Sequence, residues 1–386
     1  MWERWFKQSL IDMATKKVSV IISARNEFPQ IVFTIQSIIN DLETFLSPKD
    51  FEIILVDNGS TDNTQDPNIK GTSDFLRCRG MFNDRVLRIL FDPVAGNVSA
   101  RNKGVEIAQG EYIFFSDAHM SYKFGSFKAM IKAIDESGGI VHPAIDWLGA
   151  YPSEPGYQYT MKLGEKIWGT WTKYKVADTW FAIPMCGHCC LGMKREQFEK
   201  FRGYNPYFRC YGGGEMYLDL KWWLMGGKSV CEPSAVGYHL SAGRGYSYHN
   251  DDLMHNMMLC AYTLGGLEWA ERTFITYLNK PGVRKEKVKE LYRQALEEGK
   301  EDYEWIRQNA IMSLDDILDN PCWDKVNMER HGKKLSYITI FHEWLKGLID
   351  PEAIEIYKTS PFQRQLDEKI IKKWPHLIYR GRTPVT

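Results

Sequence analysis

Between residues 112 and 119 the chain reads Tyr112-Ile113-Phe114-Phe115-Ser116-Asp117-Ala118-His119. The apolar half of this stretch is typical of a buried β-strand, and its polar half follows where such a strand would end. An acid and an imidazole two residues apart can bind one divalent cation from the same side. Ligands of open α/β sheets collect at the carboxyl ends of the strands. The stretch therefore predicts a strand that presents metal-binding side chains at its exit.

Two earlier apolar runs end in the same way. Residues 18–22 lead into Ser23-Ala24-Arg25-Asn26-Glu27, and residues 52–56 lead into Asp57-Asn58-Gly59-Ser60. Helical spacing over about residues 29–46 and 97–109 separates these runs from later strands. Alternating strands and helices predict an α/β protein with a mostly parallel, doubly wound, Rossmann-like sheet. Polar groups at three strand ends indicate a site for a charged ligand.

Bulk composition narrows the functional classes. The 386 residues include 49 Lys and Arg against 49 Asp and Glu, so no general affinity for polyanions is implied, although a local basic groove is compatible with these numbers. No apolar run reaches the roughly 18–20 residues of a membrane helix, which predicts no stable membrane insertion. The residues before Val18 are charged and do not resemble a signal peptide. We therefore expect a cytoplasmic protein.

The cysteines do not form a disulfide pattern. Eight occur in the chain, three of them within Cys186-Gly187-His188-Cys189-Cys190. A structural zinc site is the alternative for this segment, but four ligands within five positions cannot easily surround one tetrahedral ion. We expect reduced thiols in a buried strand, consistent with a cytoplasmic location.

Each of three further positions can be explained by a role in ligand binding or by a purely structural role. Asp57 can accept hydrogen bonds from a base or ribose, or it only caps the following helix. Arg101 lies near the start of a predicted helix, where a pyrophosphate would bind, or it belongs to a solvated helix face. Glu215 follows three glycines that allow the backbone to approach a ligand closely, or these glycines only form a tight turn.

Taken in order, these segments resemble a known family. Residues 18 to about 256 look like a GT-A-fold glycosyltransferase of the family two type. The resemblance is carried by Val18-Ser19-Val20-Ile21-Ile22, Asn26-Glu27, Val56-Asp57-Asn58-Gly59-Ser60-Thr61-Asp62, Ala100-Arg101-Asn102-Lys103-Gly104 and Gly110-Glu111-Tyr112-Ile113-Phe114. It implies a UDP-sugar donor, with Asp57 at the uracil and Arg101 near the donor. The donor-binding candidates are Ala24, Glu27, Asp57, Arg101, Gly187 and His188.

The later segments are similar to the polypeptide N-acetylgalactosaminyltransferase branch, which uses Asp-x-His and a later His as metal ligands. This resemblance implies Asp117, His119 and His239 as ligands of Mn²⁺, with Mg²⁺ as the alternative ion. Pro184-Met185-Cys186-Gly187 matches the segment beneath the donor sugar, and Gly213-Gly214-Glu215 matches the one that faces sugar and acceptor. Glu215 and Asp117 are the candidate catalytic residues.

Departures from the family pattern bear on the reaction. Inverting relatives have Glu-Asp where this chain has Glu215-Met216, so their base is missing and retention of anomeric configuration is favoured. Asp219 lies too far along the predicted helix to replace that base obviously. His188 stands where the N-acetylgalactosaminyltransferase branch has Gly, a change that could alter which sugar fits.

The resemblance also divides the chain. We predict an N-terminal helix at residues 1–17 and a GT-A domain at 18–262, followed by a helical C-terminal extension at 263–386. The domain comprises a nucleotide-binding half, 18–130, and a donor-sugar and acceptor half, 131–262. In the extension, residues 283–299 and 301–318 read as separate helices.

The sequence carries least information about the acceptor. GT-A enzymes of phages and protists glycosylate hydroxymethylated DNA bases, so a hydroxymethylated nucleic-acid base is the acceptor we favour. The alternatives are a protein, a glycan precursor, or no transfer at all by an inactive GT-A binding scaffold. Tryptophans including Trp147 and Trp171 could stack on a base or sugar, or they pack in the core.

Overall fold

The computed structural model describes residues 16–62, 64, 87–92, 96–148, 155–162, 168–240, 247–319, 321–333 and 335. The helix predicted for residues 1–17 lies outside this part of the chain except for its last two residues. The end of the predicted extension, residues 336–386, lies outside it as well.

A nine-stranded mixed sheet forms the centre of the protein. Its strands are β1 (Val18–Ala24), β2 (Phe51–Asp57), β3 (Leu87–Phe91), β4 (Tyr112–Asp117), β5 (Met120–Tyr122), β6 (Ile140–Leu148), β9 (Phe181–Ala182), β10 (Cys190–Lys194) and β11 (Ser229–Leu240). They lie in the order β3-β2-β1-β4-β10-β6-β11-β5, and β9 pairs with β11. The first four strands of this order pair in parallel, as do β6 and β11, whereas β10 runs antiparallel to both its neighbours. A separate antiparallel pair is formed by β7 (Gln158–Lys162) and β8 (Trp168–Thr172).

Helices cover both faces of the sheet. They are α1 (Gln30–Leu42), α2 (Asn97–Ile107), α3 (Ser126–Ser137), α4 (Arg195–Lys200), α5 (Gly214–Leu224), α6 (Asn250–Leu278), α7 (Lys285–Asn309), α8 (Leu314–Asp319) and α9 (Cys322–His331). Neighbouring residues of the central strands enter two different cores, since successive strand side chains point to opposite faces. Ile113 and Phe115 belong to one core, and Phe114 belongs to the other. This arrangement confirms the predicted doubly wound α/β fold with a helical C-terminal region.

Strand register brings the predicted polar strand ends together. Ala24 at the end of β1 lies opposite Asp57 at the end of β2, and Ser23 lies opposite Asp117 at the end of β4. The three strands are adjacent and parallel, so their carboxyl ends share one edge of the sheet. The site described below is at this edge.

The helical region differs from the prediction in one detail. The expected break between residues 299 and 301 is wrong, because α7 continues without interruption from Lys285 to Asn309. Gly299 instead allows α7 to pack closely on α6: a Cβ there would lie 2.9 Å from side-chain atoms of Leu259 and Tyr262. Among the described residues, every helix is too short or too polar to span a bilayer.

The boundary predicted at residues 262 and 263 falls inside α6. This helix is interrupted at Gly266, whose φ of 76° lies in the left-handed region that glycine tolerates best. Helix α6 packs on α5 and on α7, and its contacts with α7 lie on both sides of Gly266, at Tyr262 and Phe274. The domain limits therefore remain predictions.

Candidate functional site

A cavity of about 430 Å³ opens at the shared strand edge. Its wall includes eight of the residues singled out from the sequence: Ala24, Glu27, Asp117, His119, Gly187, His188, Glu215 and His239. Asp57 and Arg101 are buried outside this wall. Residues that are 215 positions apart in the chain thus contribute to one site, from Ala24 on β1 to His239 on β11.

Asp117, His119 and His239 form a cluster at the cavity wall. One potential ligand atom from each lies within 4.8 Å of the others, and the Nε2 atom of His239 is 3.6 Å from a carboxylate oxygen of Asp117. Asp117 ends β4, and His119 is in the turn to β5. Pairing of β11 with β5 places His239 opposite Met120, and the Leu240 N–H donates to the carbonyl of His119 (3.0 Å). Among the described residues, this is the group that could hold a metal ion.

The donor atoms of this cluster fit a divalent cation. One carboxylate and two imidazoles suit Mn²⁺ and related ions. The Nδ1 atom of His119 lies 3.0 Å from Glu27 Oε2. If the carboxylate is ionised it can only accept, so the ring carries its proton on Nδ1 and its lone pair on Nε2. Such carboxylate–histidine pairs orient metal-binding imidazoles in many proteins.

Asp117 is held in its anionic form. Burial raises its pKa, but the neighbouring His239, His119 and Arg101 outweigh that effect and lower the pKa to about 2. At neutral pH the carboxylate is therefore ready to bind a cation. The alternative zinc site at residues 186–190 is not supported, since these residues form no metal-binding group within the described ranges.

Arg101 lies beneath the cavity floor. Its guanidinium is buried, with one terminal nitrogen 3.5 Å from Asp117 and donating to the backbone carbonyl of His188 (2.5 Å). The other terminal nitrogen is within 3.3 Å of the Nδ1 atom of His188 and of the Tyr204 hydroxyl. The arrangement links the arginine to the metal-binding carboxylate, and the expectation of a solvated helix face is wrong for this residue.

Asp219 also lies next to the site, although its position along the predicted helix did not indicate a role there. It is one helical turn after Glu215 on α5, fully buried, and one of its carboxylate oxygens lies 2.8 Å from His188 Nε2. The other oxygen accepts from the backbone N–H of Cys186 and from the hydroxyl of Ser229. The spacing of four residues between Glu215 and Asp219 was the available signal, because it places both on one side of a helix.

Glu215 begins α5 directly after the glycines. Gly213 has a φ of 80°, and a Cβ on Gly214 would lie 2.5 Å from the side chain of Val98, so this backbone turn requires glycine. Within the described residues, the Glu215 carboxylate accepts no hydrogen bond and forms no ion pair. Burial raises its pKa, with Arg101 acting in the opposite direction. The side chain lines the cavity as an acid that is easier to protonate than an exposed one.

Asp57 turns inward. Its carboxylate accepts from the backbone N–H of Ser60 (3.2 Å) and from the Ser60 hydroxyl, and burial raises its pKa. These bonds support the turn after β2, whereas the expected helix cap is not seen, because residues 58–62 are not helical. A role at the uracil remains a prediction.

Aromatic side chains form a further part of the cavity wall. The rings of Trp147 and Trp171 meet edge to face with centroids 5.2 Å apart, and Tyr211 packs on Tyr248 at 4.5 Å. Trp171 covers the backbone of Gly187 so closely that a Cβ there would lie 1.9 Å from the indole ring. The cavity thus combines a charged floor with flat apolar surfaces.

Comparison with known proteins agrees with this architecture. The sequence profile described as "Glycosyl transferase family 2" matches residues 19–202. The putative polypeptide N-acetylgalactosaminyltransferase 13 of Drosophila melanogaster is 29% identical over 241 residues, which are 57% of this chain and 41% of that protein. Polypeptide N-acetylgalactosaminyltransferase 3 of the same species is 25% identical over 389 residues, covering 90% of this chain and 56% of that protein.

The fold is also that of a solved glycosyltransferase. The crystal structure of GalNAc-T7 with UDP, GalNAc and Mn²⁺ matches with a TM-score of 0.55 and 17% identity, over 81% of this chain and 59% of that one. The chain spans about half the length of the curated relatives it matches. By sequence, residues 19–202 of this chain match the glycosyl transferase family 2 profile, and the fold agrees with that match.

Proposed function

We propose that this protein is a metal-dependent glycosyltransferase that moves a sugar from a UDP-sugar to a hydroxyl group of an acceptor. The observation that carries the proposal is the meeting of Asp117, His119 and His239 with Glu215 in one cavity of a family 2 domain. Relatives of the chain are named as N-acetylgalactosaminyltransferases, and the GalNAc-T7 structure contains UDP, GalNAc and Mn²⁺. UDP-sugar and Mn²⁺ are therefore the donor and ion proposed here.

The residues have distinct tasks in this reaction. Asp117, His119 and His239 would hold the ion, which stabilises the negative charge of a diphosphate leaving group when bound. Arg101 adds a fixed positive charge beneath the same floor, next to Asp117. Such preorganised charges stabilise a developing anion without reorganisation during the reaction.

We further propose that the sugar is transferred with retention of anomeric configuration. Met216, the residue after Glu215, is buried and cannot accept a proton. Deprotonation of the acceptor hydroxyl would then fall to the departing phosphate, while the Glu215 carboxylate positions the acceptor or stabilises positive charge on the sugar. NMR of the product's anomeric proton tests this: an inverted product would contradict the assignment.

A hydroxymethylated nucleic-acid base is the acceptor we propose. The flat surfaces of Trp147, Trp171 and Tyr211 support it, because aromatic rings stack on bases without requiring a particular sequence. Incubation with hydroxymethylated DNA, unmodified DNA and a peptide mixture distinguishes the acceptors. Sugar on the modified base alone is the expected result; transfer to peptide, or no retention on DNA at about 50 mM salt, would contradict it.

Donor hydrolysis without any acceptor tests the enzyme class itself. We expect UDP release from one of a panel of UDP-sugars with Mn²⁺, none with EDTA, and none from the Asp117→Ala variant. Normal turnover by that variant would contradict the metal assignment. If no UDP-sugar of the panel releases UDP and UDP itself does not bind, an inactive binding scaffold would be favoured.

A further inference from the structure

A buried chain of polar contacts runs from the metal cluster to helix α5. Asp117 is 3.5 Å from Arg101, Arg101 is 3.2 Å from His188 Nδ1, and His188 Nε2 is 2.8 Å from Asp219. Arg101, His188 and Asp219 are all more than nine-tenths buried. The last two residues have no task in the reaction proposed above.

The contacts determine the protonation of His188. An arginine can only donate, so the Nδ1 atom that faces it has to accept and carries no proton. The Nε2 atom then carries the proton and donates to Asp219. A doubly protonated ring would place an N–H donor against the donors of Arg101. These contacts fit the neutral Nε2–H tautomer of His188, in which neither nitrogen is available as a base toward the cavity.

We propose that Asp219 and His188 are positioning residues that orient the Arg101 guanidinium toward Asp117 and the donor diphosphate. By accepting from Nε2, Asp219 selects the His188 tautomer in which Nδ1 is an acceptor. Because Arg101 donates to that Nδ1 atom, its terminal nitrogens are aligned. The Tyr204 hydroxyl reinforces the same arrangement at 3.1 Å from His188 Nδ1. This inference rests on the proposed function, because it assumes that the donor diphosphate lies above Arg101.

Replacing Asp219 by Asn should reverse the chain of hydrogen bonds. The carboxylate accepts from the N–H of Cys186, a donor that cannot reverse, so the amide oxygen of the variant has to remain there. The amide nitrogen then faces His188 Nε2, which has to accept. The ring proton moves to Nδ1 and meets the donors of Arg101. An analogous change of tautomer is highly damaging in the serine-protease triad.

Two measurements on the full chain test the proposal. Nitrogen-15 NMR of the imidazole rings, assigned with a His188→Gln variant, reports the tautomer without any donor present. Calorimetry with UDP and Mn²⁺ reports donor affinity. The matched control is Asp41→Asn, a buried carboxylate that accepts backbone N–H bonds from Gly125 and Phe127 and does not line the cavity.

We expect a neutral Nε2–H ring for His188 in the wild-type protein, loss of that signature in Asp219→Asn, and a UDP affinity lowered about tenfold relative to Asp41→Asn. A protonated or Nδ1–H ring in the wild-type protein would overturn the inference, even if the Asp219 variant fails to fold. Unchanged UDP affinity in Asp219→Asn would overturn it as well. If the wild-type protein itself binds no UDP, the proposed function fails first, and the role assigned to Asp219 in donor binding fails with it.

Discussion

At the scale of single residues, the contact between Glu27 and His119 predicts that Glu27 supports metal binding. Replacing Glu27 by Ala removes the partner of Nδ1, so we expect Mn²⁺ affinity to fall about 10- to 100-fold, as for other outer-shell partners of metal-binding histidines. Glu27→Gln should lose less Mn²⁺ affinity, since its amide oxygen can still accept a hydrogen bond from His119. Titration followed by electron paramagnetic resonance measures the affinity directly. The exposed Glu43→Ala is the control, and equal affinities of the two Ala variants would contradict the assigned role.

Glu215 provides a second residue-scale prediction. Glu215→Gln should lower turnover about 100-fold, the scale for loss of one group that stabilises charge in the transition state, and leave UDP affinity within about twofold. Burial raises the pKa of Glu215, so its ionised form appears at a higher pH than for an exposed glutamate. Wild-type turnover should therefore increase with pH over that range, and the variant should lack the increase. Collapse of UDP binding would instead assign Glu215 to the nucleotide site.

The raised pKa of Glu215 also affects the stability of the fold. A carboxyl whose pKa is raised in the folded state stabilises the fold fully only below its unfolded-state pKa, and that contribution is lost as the pH rises through the folded-state value. At neutral pH Glu215→Gln should be at least as stable as the wild-type protein. Thermal unfolding checks this, with the exposed Glu196→Gln as control; a markedly lower melting temperature would show a structural role for the charge.

At the scale of elements, helix α6 holds the loop that precedes Glu215. The amide nitrogen of Asn256 donates to the carbonyls of Arg209, Tyr211 and Gly212 at 3.0 to 3.1 Å, and its oxygen accepts from the N–H of Arg209. The residue is fully buried, so its removal leaves several backbone groups without partners. Helix α6 thus contributes to the cavity without lining it.

Asn256→Ala should therefore affect both the fold and the site. We expect a loss of about 3 kcal/mol in the free energy of unfolding, from unpaired backbone groups at about 1–3 kcal/mol each. Donor hydrolysis should fall as well, because Tyr211 and Glu215 lose their support. Urea unfolding and UDP release measure the two effects. Asn309→Ala, which removes an exposed bond to Trp305 on α7, is the matched control. A loss below about 1 kcal/mol would contradict the role.

At the scale of the whole molecule, the sheet and the C-terminal helices share one core. Ile113 and Phe115 of β4 belong to the same buried cluster as Met257 of α6, Leu291 of α7 and Trp323 of α9. Covering one face of the sheet thus depends on helices beyond the predicted domain limit at residue 262.

A chain ending at residue 262 should consequently not fold by itself. Cutting there divides α6 and exposes apolar side chains that are otherwise buried, at about 25 cal/mol for each Å². We expect a fragment without cooperative thermal unfolding, measured by circular dichroism against the full chain. A fragment that unfolds cooperatively at the temperature of the full chain would show instead that the first 262 residues are an independent domain.

The amino-acid sequence alone was sufficient to predict the four parallel strands β1 to β4 and the edge at which the site lies. Apolar runs such as residues 112–115 define strands through local periodicity, and in parallel neighbours the polar residues after them must lie at one edge. Asp117 and His119 follow from this reasoning. His239 does not follow from it, because a single distant histidine has no local sequence signal. Before the structure, only the resemblance to a family motif indicated His239. The pairing of β11 with β5 then places it beside Asp117 and His119.

Tertiary structure decided what surrounds those residues. The bond between His188 and Asp219 joins positions 31 residues apart, and the bonds of Asn256 reach back 44 to 47 residues. Periodicity reports only which face of an element is apolar, whereas these contacts depend on how α5 and α6 pack against loops from other parts of the chain. For the same reason the sequence presented Arg101 as a residue of an exposed helix or a donor site, and only packing showed that it is buried beside Asp117.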